Sequence, residues 1–340
     1  MPREFFFKGL TKPDIKMINF SLNAEGNTYL HELCLRGAPV DLVREAVVSL
    51  GADLQALNRK DLPPLGLAIW DGNLEVVQCL IDLGAELYFP VGAGRFFNAA
   101  AEAASWGRDD VLALILKNGG GVHLNQPGLR GESCLATALK EKYYRLIGPL
   151  VEAGAFINQE SGKSGLTPLL DAARGNSPEV VEQLISLGAK LEQRQSSSGM
   201  TALHYAVSDG DSSVVERLLK LGADPNALTA SGLTPLMISA DRGNFRIAEL
   251  LIEAGADVNY RHLGGERKTA LHIAAKEGND AVVVALLKGG ADPLLTDAFN
   301  RTAARQAFAS GRRDAARMLE EAERKAEQEF FEKAYNRLRR

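Results

Sequence analysis

One pattern constrains this chain more than any other: it repeats itself. Aligning TALHYAVSDGDSSVVERLLKLGADPN from Thr201, TPLMISADRGNFRIAELLIEAGADVN from Thr234 and TALHIAAKEGNDAVVVALLKGGADP from Thr269 makes the period visible. The same opening position recurs at Thr28, Pro63, Asn98, Ser133, Thr167, Thr201, Thr234, Thr269 and Thr302. The steps between them are 33 to 35 residues. A period of this length means that each unit is one small supersecondary motif. Such a motif cannot bury its own apolar face, and only stacking completes a core.

The unit can be read residue by residue. Thr, Ser or Asn at the opening position is suited to accept a backbone N–H and cap a helix. Pro or Ala follows, and Pro at a first helical position gives up no needed donor. Small and apolar residues (LHYAV, LMISA, LHIAA) then allow close helix packing. Nine positions after the opening residue comes Gly37, Gly72, Gly107, Gly210, Gly243, Gly278 or Gly311, where the chain can turn. A V-V-x-x-L-L segment supplies a second amphipathic helix, and Gly-Ala-Asp ends it.

The unit resembles the ankyrin repeat. Thr269-Ala270-Leu271-His272 and Thr201-Ala202-Leu203-His204 nearly reproduce that family's T-P-L-H signature. The resemblance implies two antiparallel helices and a projecting, hairpin-like finger per unit. It also implies that His31, His204 and His272 tie adjacent loops by hydrogen bonds. The expected fold is an all-α solenoid of nine such repeats over residues 23–322. Residues 1–22 form an N-terminal cap, and 323–340 a charged helical extension that continues a C-terminal capping helix.

Some units depart from the pattern. The second opens Pro63-Pro64-Leu65-Gly66, without Thr or His, and the third opens Asn98-Ala99-Ala100-Ala101. The fourth has Lys142 at the turn glycine's place and Gly148-Pro149 within its second helix, which predicts a kink there. The fifth carries an extra residue near Gly175-Asn176-Ser177-Pro178, so its second helix should start at Pro178. Past Gly311 an apolar stripe runs through Ala315, Leu319, Ala322, Ala326, Phe330, Ala334 and Leu338. Glu320–Arg324, Glu321–Lys325 and Glu329–Lys333 flank it as favourable i,i+4 pairs.

Little in the chain suggests chemistry. His31-Glu32 lacks the second histidine of a zinc motif. Gly162-Lys163-Ser164 lacks the first glycine of a phosphate loop, and Gly92-Ala93-Gly94 lacks the third glycine of a dinucleotide turn. Asn300-Arg301-Thr302 fits a glycosylation sequon, with nothing to suggest secretion. Cys34, Cys79 and Cys134 lie far apart, which suits a reducing compartment, and the expected location is cytoplasmic. No apolar run is long enough to span a membrane. The net charge is −4, and residues 301–340 hold eleven Lys/Arg against seven Asp/Glu, so no basic stripe for nucleic acid covers the repeats. The expectation is a monomeric, non-enzymatic protein with no cofactor or metal, no nucleic-acid partner and no membrane partner.

What remains is an interaction surface. In the family that the chain resembles, partners dock on the finger tips and on the two positions before the inter-helix glycine. Only the second and third units place Trp there, Trp70 and Trp106, and the chain has just 2 Trp. The third finger adds Tyr88, Phe89, Arg95, Phe96 and Phe97; the neighbouring fingers add Arg59, Lys60 and Arg130. The candidate partner-binding residues are therefore Trp70, Trp106, Tyr88, Arg95, Phe96, Phe97, Arg59 and Arg130, a basic-rimmed aromatic cluster for a protein or peptide partner. Local packing is the competing reading of the same aromatics. Two functional alternatives stay open: a bacterial effector engaging a host protein, and a regulator of a partner enzyme.

Overall fold

A computed structural model describes residues 18–338 except 162, 163 and 176, with side chains through residue 333. The N-terminal cap expected over 1–22 and the phosphate-loop segment thus lie largely outside the described residues. Among the described residues there are eighteen α-helices and one two-stranded sheet. The helices come in short pairs, as the period predicts, and the chain is an all-α repeat solenoid.

The residues divide into two compact units, one ending at Ser164 and the other starting at Gly165. In the first, the opening helices α1 (Tyr29–Leu35), α3 (Pro64–Asp71), α5 (Ala99–Ser105) and α7 (Cys134–Lys140) pack side by side. Their partners α2 (Val40–Val48), α4 (Leu74–Asp82) and α6 (Asp109–Lys117) form a second row, and α8 (Ile147–Glu152) packs on α7. Strands β1 (Tyr88–Gly92) and β2 (Arg95–Asn98) make the third finger, pairing antiparallel with Phe89 opposite Phe97. In the second unit, α9 (Pro168–Arg174), α11 (Ala202–Asp209), α13 (Pro235–Arg242), α15 (Ala270–Glu277) and α17 (Ala303–Ala309) form one row. The row behind it is α10 (Pro178–Ser186), α12 (Ser212–Lys220), α14 (Phe245–Glu253), α16 (Asp280–Lys288) and α18 (Arg313–Leu338). The last of these is a single unbroken helix, so the extension continues the final pair.

The caps work as the sequence implies. Asn98, Ser133, Thr167, Thr234 and Thr269 each accept a hydrogen bond from the backbone N–H three residues on. In α1, α11 and α15 the histidine closes the box from the other side. Its Nδ1 accepts from the cap's backbone N–H, so the proton sits on Nε2 and is donated to the next finger: His31 to Leu62 O, His204 to Leu233 O, His272 to Arg301 O. A second clasp runs between fingers. Asn226 donates to Gly255 O while accepting from Asp257 N, and Asn259 does the same with Gly290 and Asp292. Asn19 makes the same pair of bonds to Gly51 and Asp53, so residues just before the first helix already follow the repeat.

One expectation is corrected. Pro149 does not kink a helix. The chain takes a 3₁₀ turn at Tyr144–Leu146, and α8 begins only at Ile147. Pro149 is then the third helical residue, where the missing N–H would have had no intrahelical acceptor. The cost is a six-residue helix where the other second-row helices of the described repeats up to α16 have nine. Pro178 does open α10, as the extra residue implied.

Lys142 replaces a turn glycine and keeps the glycine's conformation, with φ +63°. Its side chain is exposed. Lys142→Gly is expected to stabilise the fold by about 1 kcal/mol by removing this left-handed strain. A thermal melt that shows a lower midpoint for the variant would refute this.

Candidate functional site

The Trp residues end up where two adjacent opening helices finish. Trp70 lies one residue from the end of α3, and Trp106 caps α5. Packing of α3 on α5 brings the two indoles edge to face, with ring centroids 6.3 Å apart and planes at 82°. Both stay open to solvent, Trp70 at 42% and Trp106 at 40%. Arg108 holds the spot from behind: its guanidinium donates to Trp70 O at 2.5 Å and lies over Gly72.

A carboxylate sits beneath them. Glu102, one turn before Trp106 and only 8% exposed, accepts a hydrogen bond from the Trp106 side chain. Burial pushes its carboxyl above the usual range, while the Arg130 charge and the Trp106 hydrogen bond pull the other way. Nothing in the AAAEAA sequence beyond a lone acid among alanines marked this residue.

The hairpin aromatics form a second group rather than extending the first. Tyr88 is stacked between Phe96, at 5.1 Å, and His123, at 4.5 Å. Tyr88 and Phe96 are half-buried. Phe97 is a correction: it is 0% exposed and cannot meet a partner. Its ring lies against Gly66, where a β-carbon would stand 3.2 Å away. Gly66 occupies the histidine position of its repeat, so the missing imidazole and the extra phenyl compensate each other. Phe89 contacts Phe97 at 5.5 Å and is itself half-buried.

The expected basic rim is charge-balanced instead. Arg95 is paired with Asp61, Arg130 with Glu141, and Lys60 with Glu25 at 3.3 Å. Arg59 is exposed, with its aliphatic stem against Gly26. The partners of these cations lie 11 to 35 residues away in sequence, and only the fold brings them close.

Two grooves have no signature in the sequence. One, of about 710 Å³, runs over α2, α4 and α6 and is lined by Val40, Leu74, Cys79, Ala113 and Leu114, with Arg44 and Asp82 at its edge. The other, of about 460 Å³, lies in the second unit over Met200, Met237, Ile238 and Ile273, rimmed by Asp241 and Lys276. Cys34, Cys79 and Cys134 are unpaired and buried, and burial pushes the Cys134 thiol up to about 12. Among the described residues, no three His, Cys, Asp or Glu side chains are grouped to hold a metal ion, and no helix is long and apolar enough to cross a membrane.

Comparison with known families agrees with this geometry. A family model described as ankyrin repeats (3 copies) matches residues 98–195 and 192–262, and one described as ankyrin repeats (many copies) matches 251–306. No curated protein matches the chain. With these matches spanning residues 98–306, and with capped helix pairs and histidine clasps recurring at the same period, the chain belongs to the ankyrin-repeat family.

Proposed function

We propose that the protein is a non-catalytic, cytoplasmic interaction scaffold that binds a protein or peptide partner at Trp70 and Trp106. Ankyrin repeats generally serve as protein–protein interaction modules. The observation that carries the reading is the indole pair itself. Two large, rigid aromatics are left two-fifths exposed and fixed edge to face by the helices that bear them. Trp, Tyr and Arg dominate binding hot spots, and a preorganised pair costs little further ordering on association. Tyr88 and Phe96 on the hairpin, and Arg59, Arg95 and Arg130 at its margins, complete the surface. The Arg95 and Arg130 ion pairs lower the positive charge of this rim, to which Arg59 still contributes. Phe97 belongs to the core.

The test is capture from lysate followed by mass spectrometry and calorimetry. Trp70→Ala/Trp106→Ala should keep the wild-type circular dichroism spectrum and weaken the captured partner by at least about 30-fold, the equivalent of one hot spot of about 2 kcal/mol. Undiminished binding by the folded double variant would remove this face from consideration and leave the groove over Met237 and Ile273 as the place to look.

A further inference from the structure

The indole pair and the carboxylate beneath it also select what a partner must bring. Planes at 82° with ring centroids 6.3 Å apart bound a nearly right-angled corner. Both rings are two-fifths exposed, so the corner is open to solvent. Indole is the strongest aromatic host for a cation, which is attracted when it lies within about 6 Å of the ring centroid. Rings at this spacing and angle let one cation meet that limit for both.

The floor of the corner separates a cation from an apolar side chain. Glu102 is 8% exposed and accepts a hydrogen bond from the Trp106 side chain. A partner that covers the indoles removes the little water that still reaches this carboxylate. A leucine or phenylalanine seated there would leave a buried negative charge without compensation, which is strongly unfavourable. The chain supplies too little compensation itself. Arg130, whose charge reaches Glu102, is paired with Glu141, and Arg108 is held by the Trp70 carbonyl. Even with the Arg130 charge and the Trp106 hydrogen bond, burial keeps the Glu102 carboxyl above its usual range. The missing positive charge is left for the partner to bring.

Shape decides between the two basic side chains. A guanidinium is a flat, weakly hydrated plate. It can stack on one indole face while its N–H edge turns toward a carboxylate. A lysine ammonium would have to shed a tighter hydration shell for the same place. Free arginine is a poor occupant, because sites for small molecules enclose most of their ligand and this corner is open.

We infer that the corner formed by Trp70 and Trp106 over Glu102 seats one arginine side chain of a protein or peptide partner. This rests on the reading of the indole pair as the binding surface, and adds the chemistry of the residue that the pair receives.

The test titrates the full chain with short Gly/Ser peptides that carry one central arginine, read by tryptophan emission and calorimetry. Citrulline in place of arginine keeps the shape and removes the charge. The arginine peptide should bind saturably in the millimolar range or tighter, and about tenfold more tightly than the citrulline peptide. Glu102→Gln, which keeps an acceptor for Trp106, should close that gap with an unchanged circular dichroism spectrum. Equal binding of the two peptides to the wild type would overturn the proposal, and so would the absence of saturable binding. Tighter binding of the matching lysine or trimethyl-lysine peptide would overturn it as well, in favour of an ammonium. These comparisons need only the wild-type chain, so they stand even if the Glu102 variant does not fold. The two readings also fail separately. A captured partner that depends on Trp70 and Trp106, alongside equal arginine and citrulline binding, removes the arginine seat and keeps the surface. A captured partner indifferent to the folded Trp70→Ala/Trp106→Ala variant removes both.

Discussion

Lowering the pH from 7 to 4 is expected to destabilise the protein by several kcal/mol, and the cause is three buried histidines. His31, His204 and His272 are essentially inaccessible to water. Burial holds each pKa below its ordinary value, only partly offset by the carbonyl that accepts each Nε2–H, and His204 is brought down to about 4. Between pH 6.5 and 4 the unfolded chain takes up protons that the native chain refuses, so stability falls as pH falls. For His204 the loss approaches about 3 kcal/mol at pH 4, because each tenfold drop in proton affinity is worth about 1.36 kcal/mol. His31 and His272 add losses of the same sign. Glu102 works against them: its pKa is raised, so it contributes relative stability as it protonates. Burial raises the Glu323 carboxyl too, and it acts in the same direction as Glu102, reducing the net loss. Asp211 and Asp297 act lower still. Against burial, hydrogen bonds from Ser213 and Val214 and from Arg301 and Phe299 hold them below their ordinary values, and their contribution is lost only below about pH 4. Urea unfolding monitored by circular dichroism at pH 7, 5.5 and 4 gives the slope. His204→Gln, which cannot titrate, should be less stable at pH 7 and show a flatter slope. An unchanged slope in that variant would mean that the histidine clasp does not govern the acid limit.

The same histidines show what a sequence can and cannot disclose about such a fold. Period, caps and turn glycines are local properties. A threonine caps the helix it precedes, and a glycine turns the chain where it stands, so the pattern from Thr28 to Thr302 could be read directly. Pro178 was legible for that reason. Pro149 was not, because the alternative, a 3₁₀ turn followed by a late helix start, depends on how Tyr143 and Arg145 meet the preceding repeat. Their contacts to Gly107 are 36 and 38 residues away in sequence.

The candidate site divides along the same line. Exposure of Trp70 and Trp106 followed from their register in the repeat. Burial of Phe97 was not in the register: at the same place before the cap Leu166 is buried, but Leu62, Met200 and Leu233 are only half-buried, and the run of aromatics around Phe97 pointed to the finger. Neutralisation of Arg95 by Asp61 and of Arg130 by Glu141 is tertiary. Glu102 was invisible because a single glutamate in a helix is ordinarily exposed. Its indole partner Trp106 lies one turn on in sequence, whereas its burial is a property of the packed fold.

A large single-residue effect is expected at Gly107, which joins the Trp106 surface to the fourth repeat. Two independent constraints meet there. Its φ is +60°, a conformation that costs any residue with a β-carbon roughly 1–2 kcal/mol. The Tyr143 ring also lies directly over it: a β-carbon would stand 2.6 Å from the ring's Cδ1 and Cε1, well inside contact distance. Arg145 completes the contact by donating to Gly107 O at 2.7 Å. Gly107→Ala must therefore push the ring away, and with it the 3₁₀ turn that lets Pro149 sit harmlessly. A loss of about 3–4 kcal/mol is expected, strain and overpacking together. The two contributions can be separated. In Gly107→Ala/Tyr143→Ala the clash is gone and the strain remains, so the double variant should recover part of the deficit despite losing the tyrosine's own contacts. Denaturation of the single variants, the double variant and the wild type measures the coupling directly. Strict additivity would mean that ring and glycine do not meet as described. Because the ring borders the residue after Trp106, loss of the contact should also loosen the indole, seen as a red shift and quenching of tryptophan emission well before global unfolding.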